Sequence, residues 1–447
     1  ANIISAFQAG TFFGALGSCW AADRFGRRRA LCGAMCVFMA GAALMTGSCG
    51  RIEAFVVGRG VAGLGLGAMA PVVPVYITEL SPPSIRGRMI GMLEISCQVA
   101  AMCGFWTNYA VNRTVDPRSG MAQWQIPIGI QLLPGALMLL ATPFCPETPR
   151  WLCSRNRFAA AEAALCRVRG LPCEHPYVAR EMREMRAEVA RTYRVGGRHG
   201  WGRGTTTLMD HGWLADAKND RAHNMTGVGI VVYYSPRIFA SLGIRTTDLK
   251  LFATGFYGVA KTLGTLVFMF WVADRLGRRK GFVYGAFVGA VPMFYIGAYI
   301  MKADPAAATT ATTANPAAAA TSSAWGYLAI ICIYVLAVIC SASWGGITWL
   351  YVSEIYPLHI RSLCMSLTIA NERVWSFVIT RSTPYMITDM GYGVWFFFGA
   401  LQVLMGGWAL WCMRETKVSE WSLCAVETAF ARRGTWLTDG GVVGFAD

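Results

Sequence analysis

The sequence predicts an all-α polytopic membrane protein made of two similar halves. Of its 447 residues, 55% are hydrophobic and only 15% are charged, whereas a soluble domain has about a quarter charged residues. Long apolar runs recur along the chain, and a membrane-spanning helix needs about 20 mostly apolar residues. Short charged turns separate these runs, and two kinds of turn occur twice. Composition and pattern therefore favour a membrane protein over a soluble one.

The repeated turns indicate an internal duplication. The sequence DRFGRRR at residues 23–29 returns as DRLGRRK at 274–280. In a second pair of turns, Glu79 and Arg86 have the same separation as Glu354 and Arg361. Charged turns that recur between apolar helices are what a duplicated membrane unit leaves in its sequence.

The apolar runs give the number and the phase of the predicted helices. The second copy of the 23–29 motif follows the second run of its half, so the first copy should also follow a second helix. We therefore expect run 1–22 to be helix two, with the first helix missing from this chain. The eleven candidate spans are 1–22, 30–50, 54–78, 89–111, 124–144, 226–243, 251–273, 281–300, 325–351, 363–388 and 394–413.

Composition also predicts four regions. They are an N-terminal helix half at 1–144 (helices 2 to 6), a cytoplasmic loop with soluble helices at 145–225, a C-terminal helix half at 226–413 (helices 7 to 12) and a cytoplasmic tail at 414–447. The Arg-rich turns should face the cytoplasm by the positive-inside rule. The glycosylation triplet that begins at Asn112 should then lie outside. Residues 157–190 are expected to be soluble helix, because their charges are spaced for pairing along one helix.

Net charge and cysteine usage exclude several function classes. The net charge of +15 comes from turns between apolar runs and not from a basic soluble domain, so nucleic acid is not an expected partner. The 15 cysteines include no CxxC pair, which argues against a zinc site. We expect buried free thiols that act as small hydrophobes, among them Cys97, Cys103, Cys332 and Cys340. No metal or cofactor is expected.

Several motifs together resemble those of a known family. They are DRFGRR at 23–28, PETPRWL at 146–152, YYSP at 233–236 and RETK at 414–417. This set is similar to that of the sugar porter family of the major facilitator superfamily, over nearly the whole chain. The stretches at 104–109, 123–127 and 382–387 look most like fungal quinate-permease-type members. The resemblance implies the major facilitator fold of two six-helix halves around a site alternately open to each side.

The function that this resemblance implies is secondary active transport of a small polyhydroxylated solute, quinate or a sugar or polyol, coupled to protons. The expected setting is a multi-pass monomer in the lipid bilayer of the plasma membrane. A non-transporting nutrient sensor and a truncated, inactive transporter are the alternatives, and the short tail favours transport over sensing. An enzyme is not expected, since no HExxH, GxSxG or P-loop pattern occurs. The glycines at 63, 65 and 67 more simply allow close helix packing.

Charged residues at the predicted cytoplasmic helix ends form the candidate gate. Carboxylates and guanidiniums of both halves can pair there and close that side, with Gly26 allowing the tight turn. The alternative is that these charges only set the topology. The gating candidates are Asp23, Arg24, Arg27, Glu79, Arg86, Glu147, Arg150, Asp274, Arg275, Arg278, Glu354 and Arg361.

Polar residues inside spans are costly and mark candidate solute contacts. Lys261 could be the counter-ion of a solute carboxylate or could pair internally with Glu94 or Glu372. Trp349 matches the family's ring-stacking tryptophan, unless it is an interfacial anchor. The substrate-binding candidates are Glu94, Gln98, Asn224, Tyr233, Tyr234, Lys261, Thr262, Trp349, Asn371 and Glu372. Arg59 stands where proton-coupled relatives pair an arginine with an acidic residue of helix one.

Some positions depart from the family pattern. His223 and Asn224 replace paired glutamines, Gly229 replaces an asparagine, and Gly346 replaces a proline. Glu372 and Arg373 stand where an Asn-Trp pair is expected, and charges inside a span should pair or line water. Because these changes remove amides that bind hydroxyl groups, ordinary hexose binding is less expected than binding of a carboxylate such as quinate.

Overall fold

The computed structural model describes residues 2–82, 85–115, 120–196, 229, 231–232, 238–239, 246–272, 277–303, 324–348, 351 and 361–413. Every regular element in these ranges is helical. The helices of the first part are α1 (Asn2–Phe25), α2 (Arg27–Thr46), α3 (Ile52–Leu80), α4 (Arg86–Thr114), α5 (Ala122–Gly129), α6 (Leu132–Ala141), α7 (Pro149–Ser154), α8 (Phe158–Arg169) and α9 (Pro176–Gly196). The later helices are α10 (Thr247–Val267), α11 (Arg278–Ala303), α12 (Ala324–Cys340), α13 (Arg361–Met390) and α14 (Gly393–Cys412). Helices α10 and α12 each continue into a π-helical turn, Phe268–Val272 and Ser341–Gly345 respectively.

Each predicted apolar run coincides with described helix, except run 226–243, most of which lies outside the described residues. Large apolar side chains face outward, as where lipid is the solvent: Phe144 is 79% exposed and Trp411 is 94% exposed. Within the described part, eight stretches are long and apolar enough to cross a membrane, namely Arg27–Thr46, Ile52–Leu80, Gly87–Thr114, Ala122–Phe144, Thr247–Phe270, Arg278–Lys302, Trp325–Thr348 and Gly393–Trp411.

Two long helices, α1 and α13, are absent from those eight because they are more polar. Helix α1 buries Gln8 and Thr11 completely. Helix α13 carries Glu372 and Arg373 and buries Thr383 completely. Both helices lie at the junction of the two halves, where polar side chains have partners other than lipid. Their low hydropathy therefore reflects where they pack.

Two elements are shorter than the sequence suggested. Run 124–144 is one apolar stretch, but the structure divides it into α5 and α6, since Pro127 and Pro134 remove backbone donors from the helix. The soluble stretch 157–190 is likewise two helices, α8 and α9. Gly170 ends α8 in the left-handed conformation, with φ of 64°, a cap that stops a helix.

The contacts between helices follow the predicted duplication. Helix α1 packs against α13, and α4 packs against α10. The motif at 23–29 begins in the last turn of α1, its copy at 274–280 comes after α10 in the sequence, and Arg86 begins α4 as Arg361 begins α13. The two contacts are thus equivalent under the repeat, and they join the halves. Other extensive contacts lie within a half, such as α1 with α3 and α11 with α14.

The glycines of α3 allow the closest of these approaches. A Cβ atom added at Gly63 or Gly67 would collide with backbone atoms of α1, and one at Gly65 with backbone atoms of α2. The prediction that these glycines serve helix packing is therefore confirmed. Backbones this close need glycine at the contact.

We expect Gly67→Ala to lower the thermal stability of the solubilised protein. The new methyl group would meet the backbone of Thr11, which cannot rotate away, and overpacking costs about 1–3 kcal/mol. Gly60→Ala is the matched control, because a Cβ there has no neighbour within 4 Å and alanine is the better helix former by about 1 kcal/mol. The Tm should fall only for Gly67→Ala. Equal Tm values for both variants would contradict this packing.

The cysteines differ from the expectation of buried free thiols. Cys340 is buried, but Cys97 and Cys103 are exposed on α4, on a surface that lipid can cover. Cys166 and Cys173 form a disulfide. The sequence does not predict that pairing, because the two residues lie on either side of the turn at Gly170, within a stretch expected to be continuous helix.

Candidate functional site

The first candidate site is a cluster of charges around Arg27 at the predicted cytoplasmic end of α2. The Arg27 guanidinium contacts Asp23 at 3.1 Å and Glu79 at 3.2 Å. Its side chain is only 10% exposed, and that of Glu79 11%. A buried guanidinium between two carboxylates is well placed to hold three helix ends together. We call Asp23, Arg27, Glu79 and Glu147 the gate cluster.

Glu147 joins the gate cluster through the backbone of α2. Its carboxylate accepts hydrogen bonds from the amide nitrogens of Arg27 at 2.9 Å and of Arg28 at 3.2 Å. Negative charge at a helix N-terminus satisfies donors that have no partner inside the helix. Gly26 makes this approach possible: its φ is 95°, and a Cβ there would lie 2.5 Å from Glu147 Oε2. Glycine is therefore required at this position of the motif for two reasons: its φ is positive, and a side chain would collide with Glu147.

The gate cluster also reaches the other half of the molecule. The Ser362 hydroxyl on α13 donates to Asp23 Oδ1 at 3.4 Å. One turn further along the same helices, the hydroxyls of Ser18 and Ser366 are 3.0 Å apart. These serines were not predicted, since nothing in their local sequence distinguishes them from other serines in spans. Their contacts join α1 to α13 at this end of the molecule.

The loop after α6 braces the same cluster. The Trp151 indole donates to the backbone carbonyl of Asp23 at 3.0 Å, and Arg155 donates to that carbonyl at 2.7 Å. The Tyr76 hydroxyl donates to the carbonyl of Pro146 at 2.7 Å. The PETPRWL segment thus supports the turn at 23–29 chiefly through side chains, Glu147 and Trp151, that hydrogen-bond to the backbone of the turn.

The other gating candidates divide into two groups. Arg24 is exposed and lies over the Trp20 ring, 5.4 Å from its centroid. Arg150 lies in α7 and Arg278 at the start of α11. Those outside the described residues are Asp274, Arg275 and Glu354, together with the side chains of Arg86 and Arg361.

The second candidate site lies along the contact between α4 and α10. The Gln98 amide donates to the Glu94 carboxylate at 2.6 Å. The Thr262 hydroxyl lies 3.4 Å from the Gln98 carbonyl across the two halves. The next residue, Lys261, is half-buried and close enough to Glu94 to interact electrostatically. Residues of the first half (Glu94 and Gln98) and of the second half (Lys261 and Thr262) therefore lie close together at the contact of α4 with α10.

Lys261 interacts electrostatically with Glu94 but forms no salt bridge with it. Among the described residues, neither Glu94 nor Glu372 makes a salt bridge with its ammonium group. Glu94 is engaged by Gln98, and Glu372 lies 3.6 Å from Arg373, both side chains being about a fifth exposed at 18% and 21%. The expectation that Glu372 and Arg373 pair is confirmed. Lys261 thus lies at the junction of the halves without a salt bridge to any described carboxylate.

The remaining solute candidates are placed less completely. Asn371 is described and precedes Glu372 on α13. Glu372 on α13 is close enough to Glu94 on α4 for the two carboxylates to interact electrostatically. Asn224, Tyr233, Tyr234 and Trp349 lie outside the described residues.

Arg59, the proton-coupling candidate, lies on α3 away from the gate cluster. Its guanidinium sits over the rings of Phe7 and Phe55, 5.7 and 5.5 Å from their centroids. Its buried Nε has no hydrogen-bond partner within the described part of the chain. A guanidinium between aromatic rings gains cation–π stabilisation and remains able to bind an anion.

A polar site at the junction of two duplicated helical halves, with a charge cluster closing one side, is the architecture of an alternating-access membrane transporter. The model of the family described as "Sugar (and other) transporter" matches residues 1–427. The chain belongs to this sugar porter family of the major facilitator superfamily. It is therefore a transporter-family protein and not an enzyme.

Curated relatives and solved structures agree with this assignment. The chain is 36% identical over 442 residues to a probable quinate permease of Neosartorya fischeri, covering 98% of the chain and 79% of the relative. It is also 36% identical to the quinate permease of Neurospora africana, covering 93% and 77%. The proton:xylose symporter XylE, bound to 6-bromo-6-deoxy-D-glucose, has the same fold, with a TM-score of 0.77 at 22% identity, covering 93% of this chain and 86% of that one.

Proposed function

We propose that this protein is a secondary active transporter that takes up a small polyhydroxylated carboxylate of the quinate type by alternating access. The observation that carries this proposal is Lys261, a half-buried ammonium at the junction of the halves with no salt-bridge partner among the described residues. A charge within a span is costly unless a partner or water compensates it. A solute carboxylate would supply that partner, whereas a neutral sugar would not.

The proposed solute site is shared by both halves. It consists of Glu94, Gln98, Asn224, Tyr233, Tyr234, Lys261, Thr262, Trp349, Asn371 and Glu372. The packing of α4 against α10 and the electrostatic interactions of Glu94 with Lys261 and Glu372 support it. The names of the curated relatives, quinate permeases, support the same solute class.

The proposed gate is the set of charges predicted above, with the gate cluster as its described part. Closure on this side corresponds to a site open to the other side, and each half would rock about the contacts of α1 with α13 and α4 with α10. Coupling to protons is proposed through Arg59, whose guanidinium can respond to the ionisation of a nearby acid. XylE, which has this fold, is a proton:xylose symporter.

The proposed topology places eleven spans in the membrane, as helices two to twelve of the twelve-helix plan. Residues 1–144 and 226–413 would be the two halves, and 145–225 and 414–447 would lie in the cytoplasm. The protein would work as a monomer in the plasma membrane. The phase of the repeated motifs and the described helices support this arrangement.

Uptake measurements test the solute class. In cells that express the protein, we expect uptake of radiolabelled quinate to exceed uptake of glucose, because only quinate carries a carboxylate for Lys261. Addition of a protonophore should reduce quinate uptake if protons drive it. Cells without the protein give the background. Glucose uptake equal to or above quinate uptake would contradict the assignment.

A further inference from the structure

The disulfide between Cys166 and Cys173 lies in the loop predicted to face the cytoplasm. The two Cα atoms are 5.5 Å apart, a separation that suits a disulfide. Cys173 is exposed and Cys166 is half-buried, so thiol reagents can reach the pair. In the cytosol glutathione keeps thiols reduced, and disulfides there are usually transient and redox-sensing. The pair is therefore suited to reversible oxidation.

The turn that this disulfide closes contains Arg169. The Arg169 side chain is 6% exposed and makes a two-pronged ion pair with Glu181 on α9, through Nη2 at 2.6 Å and Nε at 3.0 Å. Its third nitrogen, Nη1, donates to the backbone carbonyl of Leu80 at 2.7 Å. These hydrogen bonds to the Glu181 carboxylate raise the pKa of Arg169 above its usual value. Arg169 therefore links the turn to another element by charge-assisted hydrogen bonds.

Leu80 is the last residue of α3 and directly follows Glu79 of the gate cluster. Glu79 in turn pairs with Arg27 at 3.2 Å. A continuous series of contacts thus runs from the disulfide, through Arg169 and Leu80, to the gate cluster. A change in the freedom of the turn can reach the gate along these contacts.

The turn does not depend on the disulfide for its fold. Gly170 caps α8 in the left-handed conformation, and the Leu171 amide donates to the Cys166 carbonyl at 3.3 Å. A hydrophobic cluster holds α7, α8 and α9 together, formed by Leu152, Cys153, Ala161, Leu165, Val178, Met182 and Met185. Reduction would therefore leave these helices in place and remove only a restraint on the turn around Arg169.

We propose that Cys166 and Cys173 are a reversible oxidation site whose disulfide form holds the predicted cytoplasmic gate closed through Arg169 and Leu80. Glutathione disulfide is the oxidant. The two thiols lose two electrons and two protons as their sulfurs join, and glutathione disulfide takes them up and leaves as two glutathione thiols. The oxidised protein then opens its cytoplasmic side less often and transports more slowly. This regulation goes beyond the proposed transport function.

The test uses the purified full chain, treated with reduced glutathione or with glutathione disulfide. Mass spectrometry of digests should show Cys166 linked to Cys173 only after oxidation. Hydrogen exchange at the backbone around Leu80 should then slow by about fivefold, the low end of what coupled sites show. Reconstituted in liposomes, the oxidised protein should take up quinate more slowly by a similar factor. Hydrogen exchange does not depend on the solute. If only the quinate assignment is wrong, exchange around Leu80 should still slow on oxidation although quinate is not taken up.

Two variants and one control separate this coupling from other thiol effects. Cys173→Ser should abolish the response to glutathione disulfide in both exchange and uptake. Arg169→Gln should still form the disulfide, but exchange near Leu80 should no longer follow oxidation. Cys36→Ser, which removes an exposed free thiol on α2, should respond like the parent. The inference is overturned if the two cysteines do not link, if Cys173→Ser still responds or if Arg169→Gln keeps the coupling.

Discussion

Replacing Arg27 with glutamine should reduce solute uptake at least tenfold while the protein still inserts in the membrane. Arg27 contacts both Asp23, whose side chain is 40% exposed, and Glu79, which is only 11% exposed and shares its nearly buried site with Arg27. Removing one partner of a buried ion pair costs about 3–5 kcal/mol, because the other charge stays buried and uncompensated. Alternating access needs both conformations to be populated, and each 1.4 kcal/mol shifts their ratio about tenfold. Uptake and Tm of the solubilised variant are the measurements.

The same turn provides the control for Arg27. Arg29 is an arginine two positions later in the repeated motif, but its side chain is exposed. Arg29→Gln makes the same change of net charge on the same side of the membrane and should keep uptake within about twofold, since exposed charges contribute little. If both variants transport equally, the charges of this turn serve topology alone.

Replacing Lys261 with glutamine should have the second large effect, a loss of quinate uptake of about 10- to 100-fold. Hydrogen bonds to charged groups contribute about 1.5–3 kcal/mol. Glutamine keeps a polar side chain at this position but removes the charge. Lys261→Arg should retain part of the uptake, because a cation remains. Concentration series that separate KM from maximal rate are the measurement, and KM should rise.

Lys302 is the matched control for Lys261. It lies near the end of α11 and is exposed, so Lys302→Gln removes one positive charge away from the junction of the halves. Quinate uptake by this variant should equal that of the parent. An unchanged KM in Lys261→Gln would show that Lys261 does not bind the solute, and would favour a neutral sugar or polyol as the substrate.

Much of the architecture is predictable because its signals are local or repeated. The length of an apolar run decides whether a helix can span a membrane, and the copy of the 23–29 motif at 274–280 reveals the duplication without any structure. The glycines at 63, 65 and 67 have a spacing that predicts close packing, and the structure confirms it. At Gly170 and at Pro127 the sequence predicts one helix and the structure has two. The helix-breaking residues are visible in the sequence, but the composition of the surrounding stretch favours a single helix.

The candidate sites were predictable as sets of residues but not as contacts. The turn at 23–29 contains Arg24, Arg27, Arg28 and Arg29, and only the packing of α3 beside α2 determines which one meets Glu79. Lys261 could have paired with either of two carboxylates, and whether a salt bridge forms depends on helix rotation. Ser362, which reaches Asp23, has no local pattern that would single it out.

The sequence by itself determined the class of protein and the duplication of its charged turns. These properties depend on hydropathy, charge and recurrence, which are read along the chain. Only the tertiary structure decided that Arg27 is the buried centre of the gate cluster, that Lys261 has no carboxylate paired with it among the described residues and that Cys166 meets Cys173. Each of these depends on how turns and helix faces meet in three dimensions, because a contact exists only when the intervening elements bring two side chains within a few ångströms.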